Sequence, residues 1–318
     1  MSYELKTKNQ KLKTQNCFPF PRFKGRILFD VPMKDYTSFR IGGPADVMVF
    51  PKGEDDLREI LSFVQLKDFP VLFIGSGTNL LVRDGGIRGV VINLSDGFRD
   101  MQWKGEDEVT AGAGVKLSEI VNECRKRGLA GLEFAVQIPG TIGGAVVMNT
   151  GAYGKEIKDV VTGIDLMDMK GNKEFINKDG MRFLYRGCIL PSNHIITSVH
   201  LKFKRDDTRD IERRIKEFKK KRGETQSVCY PSAGSIFKNP NHEGWNNGVS
   251  AGKLIDEAGL KGTRIGGAMV SDVHANYIVN LGSAKAADVI TLLGIIRDKV
   301  LKEKGVMLEE EIKIVGED

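Results

Sequence analysis

The sequence predicts a mixed α and β protein with more than one domain, and three observations support this. The chain has 318 residues, enough for two or three domains with buried cores. Amphipathic helical patterns alternate with short apolar runs that are typical of buried strands. Its 37 glycines exceed ordinary usage, which is about 7% of residues, and they cluster in a few segments. This clustering favours functional loops over disorder.

Periodicity and breakers place the individual elements. A helix is predicted over 54–66, where acids lead the apolar face, and a second begins near Leu117 and is ended by Gly128. The charged stretch 206–222 predicts a helix at the boundary between two domains, and a last helix is capped by Ser283 and ended by Gly305. Strands are predicted over 44–50, 69–75, 86–94, 160–169, 195–203 and 306–316.

Charge and residue spacing exclude several classes of protein. The segment 1–25 carries five of the six net positive charges, and a solvated arm is favoured there over a nucleic-acid contact. No apolar core of a secretory signal follows it, and no segment is typical of a transmembrane helix. The four cysteines form no CxxC pair and the four histidines no HxxxH or HExxH motif. We therefore expect reduced thiols, a cytoplasmic location and no metal site.

The segment 134–153, FAVQIPGTIGGAVVMNTGAY, has no formal charge between Glu133 and Lys155 in a chain that is 28% charged. It is rich in glycine and also holds proline, glutamine and asparagine, which argues against a buried helix or strand and against a membrane span. Uncharged backbone with exposed N–H groups suits close approach to a large, partly anionic cofactor. A glycine-rich packing loop is the alternative.

A second glycine-rich loop, IGSGTNLLVRDGG, begins at Ile74 after a predicted strand. Its successive N–H groups suit a pyrophosphate, yet an ordinary tight turn explains it equally well. The dinucleotide motif GxGxxG fails because Leu80 occupies the last glycine position and the chain turns back into a strand. The phosphate-binding motif GxxxxGK[ST] does not occur in the chain.

Three shorter motifs carry candidate reactive groups. In YPSAGSIFKNP, Phe237 breaks the GxSxG pattern of an acyl-transfer nucleophile, so Ser235 suits a proton donor or anion ligand, or merely a capped turn. In FLYRGCIL, Arg186 suits a carboxylate, with a surface arginine as the alternative. In LEEEIKIVG, alternation along the predicted strand places Glu311 on the face of Glu309, and solvated acids explain all three glutamates equally well.

With these residues in view, the chain resembles the UDP-N-acetylenolpyruvoylglucosamine reductase family from about Tyr36 to Gly316. The motifs that resemble the family occur in the same order along the chain, which makes the resemblance specific. They are YTSFRIGGPAD, GSGTNLLVRDGG, PGTIGGAVVMNTGAYG, YRGCIL, GSIFKNP, AGKLIDEAGLKG, VSDVHANYIVN and LEEEIKIVG.

The resemblance implies an α+β fold with a two-subdomain FAD-binding domain of the PCMH/vanillyl-alcohol-oxidase type and a smaller C-terminal α/β substrate domain. It implies a basic extension over 1–25, the FAD-binding domain over 26–205, divided near residue 94, and the substrate domain over 206–318. The last strand, 306–316, is expected to return to the first subdomain. The implied reaction reduces UDP-N-acetylglucosamine enolpyruvate with NADPH in peptidoglycan precursor synthesis, by a monomer or weak oligomer without nucleic acid or membrane partners.

The resemblance also assigns site residues by motif position. The implied catalytic residues are Arg186, Ser235 and Glu311. The implied FAD ligands are Arg40, Gly75, Ser76, Gly77, Thr78, Asn79, Pro139, Gly140, Thr141, Gly143, Gly144, Asn149, Gly151 and Tyr153. The implied substrate ligands are Tyr185, Lys238, Asn239, Lys253, His274 and Asn276.

Two features depart from the family pattern. Cys188 replaces a serine that is usual in the YRxS motif, and a thiol is the poorer hydrogen-bond donor. The interval from Arg186 to Ser235 is short, which is similar to the class that lacks an inserted tyrosine loop, and Tyr230 is not assumed to replace that tyrosine.

Neither glycine-rich segment contains His or Cys, so FAD is expected to be noncovalent. Two other interpretations stay open: a flavin oxidase of another sugar or hydroxy acid, and a binding module that uses its basic N-terminal tail on nucleic acid.

Overall fold

The computed structural model describes residues 23–226, 229–240 and 249–318, so nearly all of the predicted N-terminal extension lies outside the described residues. The helices are α1 (Glu54–Leu66), α2 (Leu117–Arg127), α3 (Ile142–Val147), α4 (Thr208–Gln226), α5 (Ala251–Glu257) and α6 (Ala286–Lys304). The strands are β1 (Arg26–Pro32), β2 (Pro44–Phe50), β3 (Val71–Ile74), β4 (Leu80–Val82), β5 (Ile87–Asn93), β6 (Met101–Lys104), β7 (Glu108–Gly112), β8 (Leu129–Ala130), β9 (Gly151–Ala152), β10 (Lys155–Glu156), β11 (Val161–Asp168), β12 (Lys173–Asn177), β13 (Arg182–Leu184), β14 (Gly187–Ile189), β15 (His194–Lys202), β16 (Lys204–Arg205), β17 (Arg264–Ile265), β18 (Ala268–Val270), β19 (Ile278–Asn280) and β20 (Lys313–Val315).

The chain forms two compact units. The first unit comprises the described part of Met1–Val31, then Ala45–Ser76 and Arg88–Lys220. The second unit comprises Pro32–Pro44, Gly77–Ile87 and the described part of Lys221–Asp318. The second unit therefore takes two short segments from the N-terminal third of the chain and the rest from its C-terminal third.

The first unit is built on two sheets. One sheet has the strand order β1-β2-β5-β3, in which β3 and β5 are parallel. The other has the order β12-β11-β15-β7-β6, in which every neighbouring pair is antiparallel. Apolar residues of both sheets join those of α1 and α2 in one core. Removing this apolar surface from water is the main force that holds the unit together.

The second unit has its own core, formed by α5, α6, the sheet β17-β18-β19 and the two N-terminal segments. Phe39 and Leu81 come from those segments and are fully buried. The last strand, β20, pairs in parallel with β4, with Lys313 opposite Leu80. The end of the chain thus completes a unit whose first strand follows the glycine-rich loop after β3.

Several predicted elements are confirmed and three predictions are wrong. Helix α1 has the predicted bounds, and α2 ends at Gly128, whose φ of +66° is left-handed. The predicted closing strand 306–316 is wrong except for β20, because its backbone partner changes from the segment after Ser235 to β4. Alternation therefore does not decide the faces of the three glutamates. The second wrong prediction is the start of α6, which lies at Ala286. The third is that segment 134–153 forms no buried helix, since α3 lies within it.

Helix α6 begins at Ala286 and is not capped by Ser283. The Asp84 carboxylate accepts the N–H groups of Ala286 and Ala287 at 2.9 and 3.0 Å, and Asp288 accepts the N–H of Lys285 at 3.0 Å. These carboxylates satisfy the first N–H groups of the helix and favour its positive end.

We expect Asp84→Ala to lower the free energy of unfolding of the second unit by about 1 kcal/mol, because two helix N–H groups lose their acceptor. Urea denaturation followed by circular dichroism measures this loss. The matched control is Asp298→Ala on the exposed side of α6, which should not lower the unfolding midpoint, because alanine is the better helix former. Equal midpoints for the two variants would contradict the capping role.

Among the described residues, every helix is too short or too polar to cross a lipid bilayer.

Candidate active site

The loop after β3 presents consecutive peptide N–H groups. Those of residues 75–78 donate to no other described residue. Gly77 has a φ of +62°, and a Cβ there would stand 2.1 Å from the carbonyl oxygen of Tyr36, so only glycine fits. Unpaired peptide donors are costly unless a ligand or water accepts from them. The loop therefore suits an anion.

The segment 134–153 contains helix α3 and is less bare than its sequence predicts. Thr141 caps the helix by accepting the N–H of Gly144 at 3.4 Å, and Gly143 donates its N–H to Ala113 at 3.0 Å. A Cβ on Gly143 would stand 2.8 Å from the side chain of Ala113. The N–H groups of Gly143 and Gly144, two implied FAD ligands, are thus used within the fold and are not free to bind FAD.

Two other amides of this segment have no acceptor. The N–H groups of Gly140 and Thr141, which follow the exposed Pro139, donate to no described residue. A Cβ on Gly75 would stand 2.5 Å from Thr141 Oγ1, so this loop lies against the loop after β3. Unpaired donors on two touching loops fit the diphosphate of a dinucleotide cofactor.

Asn149 holds the fold instead of facing a ligand. Its side chain is fully buried, and its Nδ2 donates to the carbonyl oxygen of Leu184 at 2.9 Å. Its Oδ1 accepts the N–H of Lys158 at 3.4 Å. The prediction that Asn149 binds FAD through its side chain is therefore corrected: the side chain positions the end of β13.

Arg186 lies in the two-residue turn between β13 and β14, with a φ of +56°. Its guanidinium lies 4.9 Å from the ring centroid of Tyr185. A Cβ on Gly151 would stand 3.2 Å from Arg186 Nη1, so the absence of a side chain at Gly151 makes room for the guanidinium. The turn thus holds a permanent cation over an aromatic face.

Tyr153 is 41% exposed, and its backbone has a φ of +55°. Its ring stacks on Phe218 of α4, with centroids 4.8 Å apart and planes at 16°. This contact fixes the ring at the surface of the first unit. Its predicted contact with FAD stays a prediction.

Ser235 and Glu311 are brought together in the second unit by backbone pairing. Phe237 and Glu310 form an antiparallel bridge, and the N–H of Glu311 donates to Ile236 at 2.7 Å. Ser235 directly precedes Ile236, so the two predicted catalytic residues occupy neighbouring positions. The Ser235 hydroxyl makes no hydrogen bond within the described part of the chain.

The predicted substrate ligands near Ser235 differ in their surroundings. Lys238 is largely buried and pairs with Glu309, and Asn239 Oδ1 accepts the N–H of Ala251 at the start of α5 at 3.0 Å. Lys253 is exposed and lies 3.8 Å from Glu257. Lys253 is therefore the more accessible cation.

His274 is held in one tautomer. Its Nδ1 accepts the backbone N–H of Asn276 at 3.2 Å, which leaves the ring proton on Nε2. Burial, reinforced by the Lys261 charge, lowers the pKa of His274 below its usual value of 6.5. The neutral ring therefore offers one N–H donor, which suits a ligand oxygen.

Two residues that the sequence analysis missed hold the segment with Arg40. Asn280 Nδ2 donates to the carbonyl oxygens of Phe39 and Arg40 at 3.1 Å each, and Ser38 Oγ donates to Ser232 at 2.8 Å. Asn79 Nδ2 donates to the carbonyl oxygen of Glu311 at 3.1 Å, so this predicted FAD ligand also supports a predicted catalytic residue. The final asparagine of the NYIVN sequence was the only signal available for Asn280.

Cys188 is half-buried in β14, where burial raises the pKa of its thiol to about 11. Its Sγ lies 4.0 Å from the carbonyl oxygen of Ile189. The thiol is thus protonated at neutral pH and is a poor nucleophile. It stands in the YRGC motif as a small, weak donor.

Comparison with known proteins identifies the two parts of the chain. Residues 45–174 match the model of an FAD binding domain, and residues 226–315 match that of the C-terminal domain of UDP-N-acetylenolpyruvoylglucosamine reductase. The reductase of Clostridioides difficile is 43% identical over 93% of this chain and 95% of its own. The reductase of Caldanaerobacter subterraneus is 44% identical over 92% of this chain and 95% of its own. The crystal structure of the reductase from Thermus caldophilus has a TM-score of 0.77 at 36% identity and covers 92% of this chain and 99% of that one.

The fold and the loops of unpaired amides define an FAD-dependent oxidoreductase. The predicted α+β class and the FAD cofactor are confirmed. The chain belongs to the UDP-N-acetylenolpyruvoylglucosamine reductase family, which confirms the resemblance seen in the sequence.

Proposed function

We propose that this protein reduces UDP-N-acetylglucosamine enolpyruvate to UDP-N-acetylmuramate, with NADPH as hydride source, in peptidoglycan precursor synthesis in the cytoplasm. The identity with named reductases over more than nine-tenths of the chain carries this proposal. One hydride and one proton add across the enol ether double bond, and NADPH becomes NADP⁺. A sugar or hydroxy-acid oxidase is disfavoured because the relatives described above are reductases. We propose no nucleic-acid partner.

Bound FAD would supply hydride transfer between NADPH and the methylene carbon of the substrate. The amides of Gly75, Ser76, Gly140 and Thr141 suit its diphosphate in the first unit. Histidine and cysteine are lacking in both loops, so we propose that FAD is held without a covalent bond.

Residues of the chain are proposed to stabilise the developing negative charge and to supply the proton. Ser235 is proposed to donate a proton to the carbon next to the carboxylate and to recover it from solvent. Arg186 is proposed to bind the carboxylate, where negative charge builds up as the hydride arrives. Glu311, held beside Ser235, is proposed to donate a hydrogen bond in its protonated form. Tyr185, Lys238, Lys253 and His274 are proposed substrate ligands.

Anaerobic mixing tests the function. NADPH should bleach the yellow FAD-loaded protein, and UDP-N-acetylglucosamine enolpyruvate should restore the colour with formation of UDP-N-acetylmuramate. UDP-N-acetylglucosamine, which has no double bond to reduce, is the control and should restore nothing. If the enolpyruvyl substrate fails to recolour the bleached protein, the proposed function is wrong.

We expect Gly75→Ala to weaken FAD binding by about 1–3 kcal/mol, because the new methyl group would press on Thr141 Oγ1 and separate the two loops. FAD retained after gel filtration measures the effect. Gly53→Ala is the matched control, since a Cβ there meets nothing within 4 Å in the described structure. The same FAD content in both variants would contradict the role of the two loops.

A further inference from the structure

The segment that carries Ser235 is bonded along both of its edges. On one edge, Glu311 and Lys238 donate N–H groups to Ile236 and Glu309 at 2.7 and 2.8 Å. On the other edge lies Asn276. Residues 235–238 thus behave as the central strand of a small sheet, although only isolated bridges form there.

The side chain of Asn276 bonds to the backbone of Phe237 in the way that the backbone of a neighbouring strand would. Its Oδ1 accepts the N–H of Phe237 at 3.0 Å, and its Nδ2 donates to the carbonyl oxygen of Phe237 at 2.8 Å. Its own carbonyl oxygen accepts the N–H of Ile236 at 2.9 Å. The side chain is 4% exposed, so water does not compete for these bonds.

This geometry argues against a direct substrate contact, since Asn276 is buried and both polar groups of its side chain bond to Phe237. An ionised aspartate of the same length lacks the donor. We infer that Asn276 is a positioning residue, which fixes the backbone of residues 236–237 and thereby holds Ser235 in register with Glu311. The catalytic part of this inference rests on the proposed function.

The hydrogen bonds of Asn276 to residues 236 and 237, which we call the clamp, should affect only the half of the reaction that uses Ser235. A small displacement of a reacting group costs about 10²-fold in rate. Loss of the clamp should therefore slow the step that uses Ser235 and spare the reduction of FAD by NADPH. Asn276→Asp keeps the acceptor but turns a carboxylate oxygen toward the carbonyl oxygen of Phe237.

The test uses FAD-loaded wild type, Asn276→Ala and Asn276→Asp. Deuterium exchange at residues 235–238 should rise in both variants, bleaching by NADPH should be unchanged, and recolouring by the enolpyruvyl substrate should slow about 10²-fold. The solvent deuterium isotope effect on recolouring should increase, since proton transfer becomes limiting. Asp84→Ala, which removes a helix cap in the same unit, is the control for general destabilisation and should leave recolouring unchanged.

A double variant separates positioning from binding. If Asn276 acts through Ser235, adding Asn276→Asp to Ser235→Ala should cause no further loss in recolouring rate. Losses that multiply, or a higher KM with unchanged kcat for Asn276→Asp, would overturn the inference. Unchanged deuterium exchange at 235–238 would overturn the clamp itself, whereas wild-type protein that the substrate fails to recolour would overturn only the proposed function.

Discussion

Ser235→Ala should be bleached by NADPH at the wild-type rate and then recoloured by the enolpyruvyl substrate about 10²–10⁴-fold more slowly. The range is that of general acid catalysis by one positioned group, which the methyl of alanine cannot replace. Stopped-flow absorbance under anaerobic conditions measures both steps in one sample. The substitution removes only a hydroxyl that makes no hydrogen bond within the described residues, so the second unit should remain stable.

The matched control is Ser283→Ala, which removes an exposed hydroxyl from the same unit. It should recolour at the wild-type rate. Product formed in deuterium oxide adds a second readout, since the carbon next to the carboxylate should carry solvent deuterium. Recolouring of Ser235→Ala at the wild-type rate would rule out this serine as the proton donor.

Arg186→Gln should lose about 10²–10³-fold in kcat for the enolpyruvyl substrate, because a preorganised cation opposite developing negative charge is removed. Arg186→Lys should recover part of this loss, since it keeps the charge but lacks the planar fork that binds a carboxylate through two hydrogen bonds. Steady-state kinetics at saturating NADPH, with varied substrate, measures both variants.

Arg182→Gln is the control for Arg186→Gln because Arg182 belongs to the same hairpin. Its side chain is exposed and makes no ion pair or hydrogen bond among the described residues, so activity should not change. A loss in Arg182→Gln as large as in Arg186→Gln would show that the hairpin responds to any lost charge. The specific role of Arg186 would then be wrong.

The sequence predicted elements whose determinants are local. Helix α1 follows from its apolar spacing, and Gly128 ends α2 because glycine adopts left-handed backbone readily. The start of α6 is different, since Asp84, the residue that caps it, lies 202 positions earlier in the chain. Such a partner is invisible to a local pattern.

For a similar reason, the sequence predicted the loop amides of the candidate site correctly and the roles of two asparagines wrongly. Unpaired amides in the loop after β3 follow from small residues after a strand, and the structure has them. Asn149 was assigned to FAD and Asn276 to the substrate by motif position, yet both side chains bond to the backbone. Position in a motif cannot distinguish an amide that faces a ligand from one that holds a backbone segment. Only the path of the distant backbone decides this.

The pairing of β4 with β20 sets a condition on biosynthesis. The ribosome makes the two early segments of the second unit long before it makes their partners at the chain's end. Phe39, Ile41 and Leu81, which are buried in the finished protein, therefore have no native covering during most of translation. Nascent chains should therefore expose these side chains until the segments that cover them, β20 among them, have been synthesised, and an unpaired β4 should be open to aggregation.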